Sequence, residues 1–310
     1  MRRMIIDTDT ASDDAVAIMM AVHSPHISVE ALTVVAGNVT LEQASINARF
    51  TLQLCNKDIP VYLGCDRPWL QTASTAEWFH GDDGMGNMNY PAPQKAASKT
   101  HAVNALIERF QQAPGDIELV TLGPLTNIAT ALSMEPELAK WIKHCYVMGG
   151  AAATLGNVTP AAEYNFWCDP EAARKVLHSG VPLTLLGWEL SCDDAALSDS
   201  EMEQISNLGS ERAKVAIDCN RSAVVASREL QAQSGMALAD PVAMAVAIDP
   251  SISIKQKTCF VDIETQSDMT RGMSVVDLNH VLGREHNATV CLEIDSAAWK
   301  ALLRNCLHDA

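Results

Sequence analysis

Four carboxylates fall within eight residues near the start of the chain. Asp7, Asp9, Asp13 and Asp14 come directly after the apolar residues 4–6, which predict a short buried strand. Open α/β sheets bind their ligands beyond the carboxyl ends of their strands. Carboxylates packed this closely repel one another in a dry cleft, and a hard divalent cation such as Ca²⁺ or Mg²⁺ would relieve that repulsion. The segment therefore predicts a cation-dependent site at the end of the first strand.

Helix capping is the competing interpretation of this segment. Ser12, Asp13 and Asp14 suit the positive end of a helix, and a helix is predicted over about residues 13–23. Capping accounts for Asp13 or Asp14. It does not account for Asp7 and Asp9 at the end of an apolar strand, so the site interpretation is favoured.

Two later segments carry polar residues that allow both a structural and a functional role. Asp240-Pro241 precedes the apolar residues 242–248, and a proline at the first helical position makes Asp240 a natural N-cap. Asn157 and the run Glu163-Tyr164-Asn165 follow a Gly-Gly turn in a loop of small residues. Polar side chains after a strand can bind hydroxyl groups, but loops are polar in any case.

The elements that must position these residues alternate between short apolar runs and helical patterns. Strands are predicted at residues 4–6, 29–35, 59–63, 117–122, Cys145–Met148 and Leu183–Leu186, and near Val290, Leu292 and Ile294; helices at residues 13–23, 41–55, 101–112, 127–133, 170–178 and Ser296–Leu307. This order predicts an α/β fold with a single open, mainly parallel sheet and helices on both faces.

Two regions interrupt this alternation. Residues 64–99 show little periodicity and are predicted to form a long loop, and residues 198–238 are predicted to be mostly helical. We expect a single domain over residues 1–310, in which the helical segment at about 198–238 is an insertion that caps a site or forms a subunit interface.

Composition and charge restrict the function further. The 310 residues are 48% hydrophobic and 19% charged, which excludes disorder for most of the chain. A formal charge of −16 argues against nucleic acid and against anionic membranes as partners. No apolar run reaches the roughly 18 residues of a membrane span, and the first residues lack the apolar region of a signal peptide. The nine cysteines form no Cys-x-x-Cys pair, and we expect a reduced, cytoplasmic protein.

Taken together, these segments resemble the inosine–uridine-preferring nucleoside hydrolase family over nearly the whole chain. The family's opening motif, Asp-x-Asp-x-x-x-Asp-Asp, is met by the four aspartates. Further segments are similar to family motifs: Val34 to Thr40 with Asn38, Leu122-Gly123-Pro124-Leu125-Thr126-Asn127, Met148-Gly149-Gly150, Asn157, Glu163-Tyr164-Asn165, Asp169 to Ala173, Asp240, and Thr258 to Asp277.

This resemblance implies a Rossmann-like nucleoside hydrolase fold and hydrolysis of the N-glycosidic bond of a ribonucleoside to ribose and a free base. It implies a Ca²⁺ ion held by Asp9, Asp14, Asp240 and the main-chain carbonyl of Leu122, with Asp9 as the general base that deprotonates a water on that ion. Ribose hydroxyls would be held by Asp13, Asn157, Glu163 and Asn165, with Asn38 nearby. It also implies a homodimer or homotetramer, with a small ribonucleoside as the substrate.

The chain departs from the family pattern at two places. Thr10-Ala11 stands where many relatives carry Pro-Gly, and Ala239 stands where relatives often place a histidine or an aromatic residue that meets the departing base. His80 matches the family's other base-side histidine, within the long loop, and is predicted to be catalytic. A solvent-exposed surface histidine is the alternative for His80.

Two other functions are compatible with parts of the sequence. Asp7-x-Asp9 after an apolar strand also resembles haloacid-dehalogenase-like phosphatases, and Gly81-Asp82-Asp83 faintly resembles their later acidic motif, but Ala11 replaces the expected Thr or Val. A non-catalytic protein that binds nucleosides or divalent cations is the second alternative, since Ala239 can neither protonate nor stack on a base. Release of ribose distinguishes the hydrolase, and release of phosphate distinguishes the phosphatase.

Overall fold

A single sheet runs through the centre of the computed structural model, which describes residues 1–230 and 234–308. Within those residues the sheet has nine strands in the order β3-β2-β1-β4-β5-β6-β9-β7-β8. The strands are β1 (Arg2–Thr8), β2 (Ile27–Val34), β3 (Val61–Leu63), β4 (Ile117–Thr121), β5 (Cys145–Met148), β6 (Leu183–Leu186), β7 (Ser253–Ile263), β8 (Ser274–Asp277) and β9 (Ala288–Ile294). In this order all neighbours from β3 to β9 pair in parallel, whereas the pairs β9–β7 and β7–β8 are antiparallel. The predicted open, mainly parallel sheet is confirmed.

Helices cover both faces of the sheet. They are α1 (Ser12–His23), α2 (Leu41–Leu54), α3 (Glu77–His80), α4 (Ala102–Gln112), α5 (Thr126–Met134), α6 (Leu138–Trp141), α7 (Tyr164–Cys168), α8 (Pro170–Leu177), α9 (Asp199–Ser206), α10 (Glu211–Asp218), α11 (Arg221–Leu230), α12 (Ala239–Ile248) and α13 (Ser296–Leu307), with 3₁₀ turns at Trp188–Ser191, Asp193–Ala195 and Pro250–Ile252. Met4 and Ile6 of β1 belong to one buried cluster and Ile5 to another. This alternation places an apolar core on each side of the sheet.

The chain changes direction across the sheet between β1 and β4. β2 and β3 extend the sheet on one side of β1, whereas β4, β5 and β6 extend it on the other. In doubly wound sheets the two loops that leave such neighbouring strands part in opposite directions and open a crevice between them. The acidic motif after β1 and the turn after β4 therefore flank the same crevice.

Three segments differ in detail from the sequence predictions. Helix α12 begins at Ala239, and Leu238 is its N-cap residue. Asp240 is therefore not the N-cap, and its carboxyl group is available to the crevice. The predicted long loop contains the one-turn helix α3. Residues 198–238 contain α9, α10 and α11, but residues 234–238 are not helical, and residues 231–233 lie outside the described part of the chain.

Two further observations concern the whole described chain. No helix within residues 1–230 and 234–308 has the length and apolar character needed to cross a bilayer. The nine cysteines, all within those ranges, are free thiols.

Candidate active site

A cleft opens between the ends of β1 and β4 and brings together residues from distant parts of the chain. It has about 720 Å³ of empty space, counting its open mouth. Eight of the predicted site residues line it: Asp13, Asn38, His80, Leu122, Asn157, Glu163, Asn165 and Asp240. Asp9 and Asp14 are fully buried at its floor. The structure thus brings the predicted residues to one place.

The floor of the cleft is a cluster of carboxyl groups. Oxygen atoms of Asp13, Asp14 and Asp240 all lie within 4.8 Å of one another. Asp9 interacts electrostatically with Asp13 and Asp14, so it belongs to the same floor. Three of these aspartates follow β1 and the fourth is in the first turn of α12, so only the packing of α12 against α1 assembles the cluster.

Asp9 is held from one side and open on the other. Its Oδ2 accepts a hydrogen bond of 2.5 Å from the backbone N–H of Asn38, while its Oδ1 has no partner within the described residues. Two glycines make room for it. A Cβ at Gly37 would lie 2.1 Å from Asp9 Oδ2, and one at Gly123 would lie 2.6 Å from Asp9 Oδ1.

Asp14 both caps a helix and faces the cleft floor. Its Oδ1 accepts from the Thr8 hydroxyl at 2.6 Å and its Oδ2 accepts from the backbone N–H of Ala11 at 2.9 Å. The second bond satisfies the N-terminus of α1, as the capping interpretation predicted. Capping and site formation are therefore compatible for this residue.

The electrostatics of the floor fit a bound cation. Burial raises the pKa of Asp14 to about 7, and burial together with repulsion between the aspartates raises the pKa of Asp9 and of Asp240 well above the usual range. Asp9 Oδ1 and Asp13 Oδ1 are buried and unpartnered among the described residues. Buried anionic oxygens without donors are what a hard divalent cation coordinates. The donor set therefore fits such an ion.

The opposite wall is built around Glu163, the N-cap residue of α7. Its Oε2 accepts from the backbone N–H of Gly150 at 2.7 Å and of Phe166 at 3.1 Å, and its Oε1 accepts from that of Asn165 at 2.8 Å. Burial nonetheless raises the pKa of Glu163 to about 7. These bonds fix the carboxyl group rigidly at the cleft surface.

Asn165 and Asn157 are fixed by neighbouring backbone. Asn165 Nδ2 donates to the carbonyl oxygen of Leu122 at 2.8 Å, which ties the end of β4 to α7. The Oδ1 of Asn157 accepts from the backbone N–H of Tyr164 at 3.0 Å. Both amides therefore meet the cleft in defined orientations.

His80 lies at the end of α3 and is only 7% exposed. Its Nδ1 is 2.8 Å from the Ser12 hydroxyl, and burial lowers the pKa of its imidazole. The alternative of a solvent-exposed surface histidine is therefore wrong.

Other aspartates of the sequence motifs serve different roles. Asp7 is buried away from the cleft, where its Oδ2 accepts from the Thr33 hydroxyl at 2.7 Å and from the Asn127 amide at 2.9 Å. Asp83 accepts backbone N–H groups of its own loop, from Met85, Asn87 and Asn89. The Gly81-Asp82-Asp83 run thus organises the loop after His80 and does not join the acidic floor.

Several cleft residues were missed by the sequence analysis. The cleft is also lined by Trp78, Phe79, Trp188, Ser191, Ser227 and Ala237. Trp78 is 55% exposed, which places it at the mouth. No local pattern distinguishes these residues from ordinary loop or helix positions, although Trp78 and Phe79 directly precede the predicted His80.

Comparison with known proteins agrees with this geometry. The sequence profile of the inosine-uridine preferring nucleoside hydrolases matches residues 4–301. The chain belongs to this family. It is 35% identical over 307 residues, covering 99% of this chain and 97% of the relative, to the pyrimidine-specific ribonucleoside hydrolase RihB of Escherichia coli O157:H7 (strain EC4115 / EHEC).

Solved nucleoside hydrolase structures share the fold of this family member. An inosine-guanosine nucleoside hydrolase superposes with a TM-score of 0.92 at 30% identity and full coverage of both chains. The purine-preferring ribonucleoside hydrolase of Gardnerella vaginalis superposes with a TM-score of 0.91 at 28% identity, covering 99% of this chain and 98% of that one. Membership of the family makes this chain a nucleoside hydrolase, an N-ribosyl hydrolase, and leaves the phosphatase alternative without support.

Proposed function

We propose that the protein hydrolyses the N-glycosidic bond of ribonucleosides in a Ca²⁺-dependent reaction, with Asp9 as the general base. The observation that carries this proposal is the buried Asp9 Oδ1, which has no partner in the described part of the chain and lies beside three other carboxyl groups. A base must present a free oxygen to water, and Asp9 Oδ1 accepts no hydrogen bond from the described residues, which supports this role.

The cation would be held by Asp9, Asp14, Asp240 and the main-chain carbonyl of Leu122. Ca²⁺ prefers such carboxylate and carbonyl oxygens, and when bound it supplies positive charge that makes a neighbouring water more acidic. The bond from the Asn38 N–H holds Asp9 Oδ2, which supports Oδ1 as the oxygen that would receive the proton.

The ribose would lie between Asp13 and the wall formed by Asn157, Glu163 and Asn165, with Asn38 nearby. Cleavage of an N-glycosidic bond develops positive charge on the sugar, which a pocket rich in carboxylates stabilises. The fixed amides of Asn157 and Asn165 and the carboxyl group of Glu163, the N-cap residue of α7, would hold the sugar hydroxyls in one orientation. This lowers the entropic part of the activation barrier.

The base would then face the mouth of the cleft. Trp78, Phe79 and Trp188 line this part together with the small residues Ala237 and Ala239. The named relatives differ, since one is pyrimidine-specific and two act on purine nucleosides. Aromatic walls stack over more area with a bicyclic base, and alanines leave room for it. We therefore expect purine ribonucleosides to be preferred.

The test is release of reducing sugar from inosine, guanosine, uridine and cytidine, with and without a strong Ca²⁺ chelator. We expect release that the chelator abolishes and added Ca²⁺ restores, with inosine and guanosine cleaved faster than uridine and cytidine. Restoration by Mg²⁺ alone would overturn the choice of Ca²⁺, and faster pyrimidine cleavage would overturn the base preference.

Absence of sugar from all four nucleosides with Ca²⁺ present would overturn hydrolysis. Binding of nucleoside without cleavage, measured by calorimetry, would then support the non-catalytic alternative.

The family resemblance also supports a homodimer or homotetramer, which light scattering coupled to size-exclusion chromatography tests directly. A cytoplasmic location stays a prediction from the sequence.

A further inference from the structure

Ser12 and His80 form a buried polar pair beside the acidic floor. Ser12 Oγ lies 2.8 Å from His80 Nδ1, Ser12 is fully buried, and His80 is 7% exposed. Neither side chain belongs to the groups proposed to hold the cation or the ribose. The contact between Ser12 and His80 is therefore not explained by cation binding or by ribose binding.

Either tautomer of His80 can make this hydrogen bond: Nδ1 accepts from the hydroxyl when the ring proton is on Nε2, and donates to it when the proton is on Nδ1. Among the described residues, His80 Nδ1 is the one hydrogen-bond partner of the Ser12 hydroxyl, whose single proton needs an acceptor. An imidazole that accepts at Nδ1 carries its proton at Nε2 when it is neutral. Burial lowers the pKa of His80, which favours this neutral ring.

The backbone on both sides of the pair is held in place. The carbonyl oxygen of Ser12 accepts from Cys219 Sγ at 3.5 Å and from Asn220 Nδ2 at 3.4 Å. The carbonyl oxygen of His80 accepts from the backbone N–H of Gly86 at 2.8 Å. The hydroxyl and the ring therefore meet at a fixed separation, with Nδ1 facing Ser12 of α1, and His80 is among the residues that line the cleft.

We propose that Ser12 is a positioning residue that holds His80 in its Nε2–H tautomer, with Nε2–H directed at the departing nucleobase. This inference rests on the proposed hydrolase function. His80 is the one histidine among the described residues that line the cleft, and Ala239 has no donor. The donor that meets the leaving base therefore depends on Ser12.

In the cleavage of the N-glycosidic bond, His80 acts as a hydrogen-bond donor, and the atoms and charges of the reaction balance as follows. The C1′–N bond breaks and its electron pair leaves with the base, while the water oxygen bonds to C1′ and its proton passes to Asp9. His80 Nε2–H stabilises the negative charge that develops on the base, and solvent protonates the base on release. Removing one such donor typically lowers kcat by about 10²- to 10³-fold.

The experiment compares two ribosides that differ in their need for this donor. Inosine has a poor leaving group, whereas the 4-nitrophenolate of 4-nitrophenyl β-D-ribofuranoside is stable as an anion and needs no help in leaving. With Ser12→Ala we expect kcat for inosine to fall about tenfold or more, because the ring loses its fixed tautomer. Hydrolysis of the nitrophenyl riboside should stay within about twofold of wild type.

Three variants serve as controls. Ser12→Thr keeps the hydroxyl and should recover most of the inosine activity. Ser45→Ala removes another buried serine hydroxyl, one outside the cleft, and should leave both rates unchanged. Ser12→Ala combined with His80→Gln should lower inosine hydrolysis no further than His80→Gln alone, since residues that act through one another are not additive.

Equal losses on both ribosides in Ser12→Ala would overturn the proposal, because Ser12 would then act through the cation or the ribose.

A readout independent of turnover is the ¹⁵N spectrum of the imidazoles, with His80 assigned from His80→Gln. We expect the Nε2–H tautomer in wild type and a mixture in Ser12→Ala, and an Nδ1–H tautomer in wild type would overturn the proposal. If wild type hydrolyses neither riboside but shows the Nε2–H tautomer, the hydrolase function fails while the pairing of Ser12 with His80 stands.

Discussion

Single residues in this cleft combine a fixed oxygen with a free one. Asp9 has Oδ2 bound to the Asn38 N–H and Oδ1 without a partner in the described residues, whereas Asp14 has one oxygen held by the Thr8 hydroxyl at the end of β1 and the other by the backbone N–H of Ala11, just before α1. The two carboxyl groups are chemically the same and close in sequence, yet only Asp9 offers an oxygen free to receive a proton. Their environments therefore support the proposed roles, in which Asp9 is the general base and Asp14 helps to hold the cation.

Replacing Asp9 by asparagine tests this distinction. Asp9→Asn keeps an acceptor for the Asn38 N–H but removes the carboxylate that is proposed to take the proton from water. We expect the kcat for inosine to fall by about 10²- to 10⁴-fold, the range for loss of a general base. Steady-state kinetics at saturating Ca²⁺ measure this change.

A matched control is Asp82→Asn, which changes an exposed aspartate outside the cleft and should leave kcat unchanged. Because the amide removes a buried charge from a repulsive cluster, Asp9→Asn should not lower the melting temperature of the metal-free protein. A variant with wild-type kcat would show that another group is the base.

At the scale of elements, the turns after β2 and β4 shape the pocket that holds Asp9. Gly37 follows β2 and Gly123 follows β4, and both leave space that a side chain would take from the Asp9 carboxylate. This close approach of three segments needs positions without a Cβ. The glycines therefore set the position of the Asp9 side chain, which is proposed to be catalytic, without contacting it through side-chain atoms of their own.

Gly37→Ala tests the contribution of these turns. The added Cβ would lie 2.1 Å from Asp9 Oδ2 and 2.7 Å from Pro124 Cδ, so either Asp9 or the turn must move. We expect kcat for inosine to fall at least about tenfold, since displacements of about 1 Å from productive geometry cost up to 10²-fold. Initial rates and a thermal melt are measured together.

Gly180→Ala provides the comparison for this substitution. No atom of the described residues lies within 4 Å of its Cβ position, but its φ of +83° strains any residue other than glycine. It should cost about 1–2 kcal/mol of stability and leave kcat unchanged. Wild-type kcat in a folded Gly37→Ala protein would contradict the steric explanation.

At the scale of the whole molecule, burial of several carboxyl groups couples stability to pH. Burial raises the pKa of Asp7 to about 7 and that of Glu163 to about 7. Between the ordinary carboxyl pKa near 4 and these raised values, the folded protein binds more protons than the unfolded chain. The stabilising contribution of these groups is therefore complete below about pH 4 and is lost as pH rises towards 7.

Asp7→Asn isolates one of these groups outside the cleft. Asp7 Oδ1 is unpartnered within the described residues, so its charged form is poorly satisfied, whereas an amide is neutral at every pH. We expect the variant to be more stable than wild type at pH 8, by about 1 kcal/mol or more, with little gain at pH 4. Urea unfolding of the metal-free protein at the two pH values measures the difference.

The matched control for Asp7→Asn is Asp116→Asn, which changes an exposed aspartate. It should show no such gain at pH 8. If Asp7→Asn were less stable than wild type at pH 8, then the Asp7 carboxylate, through the bonds from Thr33 and Asn127, would contribute more than its burial costs.

Local patterns determined much of the architecture and part of the site. The alternation of strands and helices followed from short-range periodicity, and the strands at Cys145–Met148 and Leu183–Leu186 and the helix at Ser296–Leu307 were predicted with the observed bounds. Asp9, Asp13 and Asp14 were found because they are close in sequence at a strand end. The roles of Asp240, Asn157 and Glu163 needed the family resemblance, since each alone was compatible with capping or an ordinary polar loop.

The tertiary structure alone decided which of these residues meet and which way they face. It brought Asp240 of α12 to the floor, directed Asp7 away from it, buried His80 against Ser12, and placed Trp188 and Ser227 in the cleft. Each outcome depends on which strands pair and which helices pack across the sheet. Those long-range contacts arise from the burial of whole apolar faces, so the residues near any one position do not reveal them.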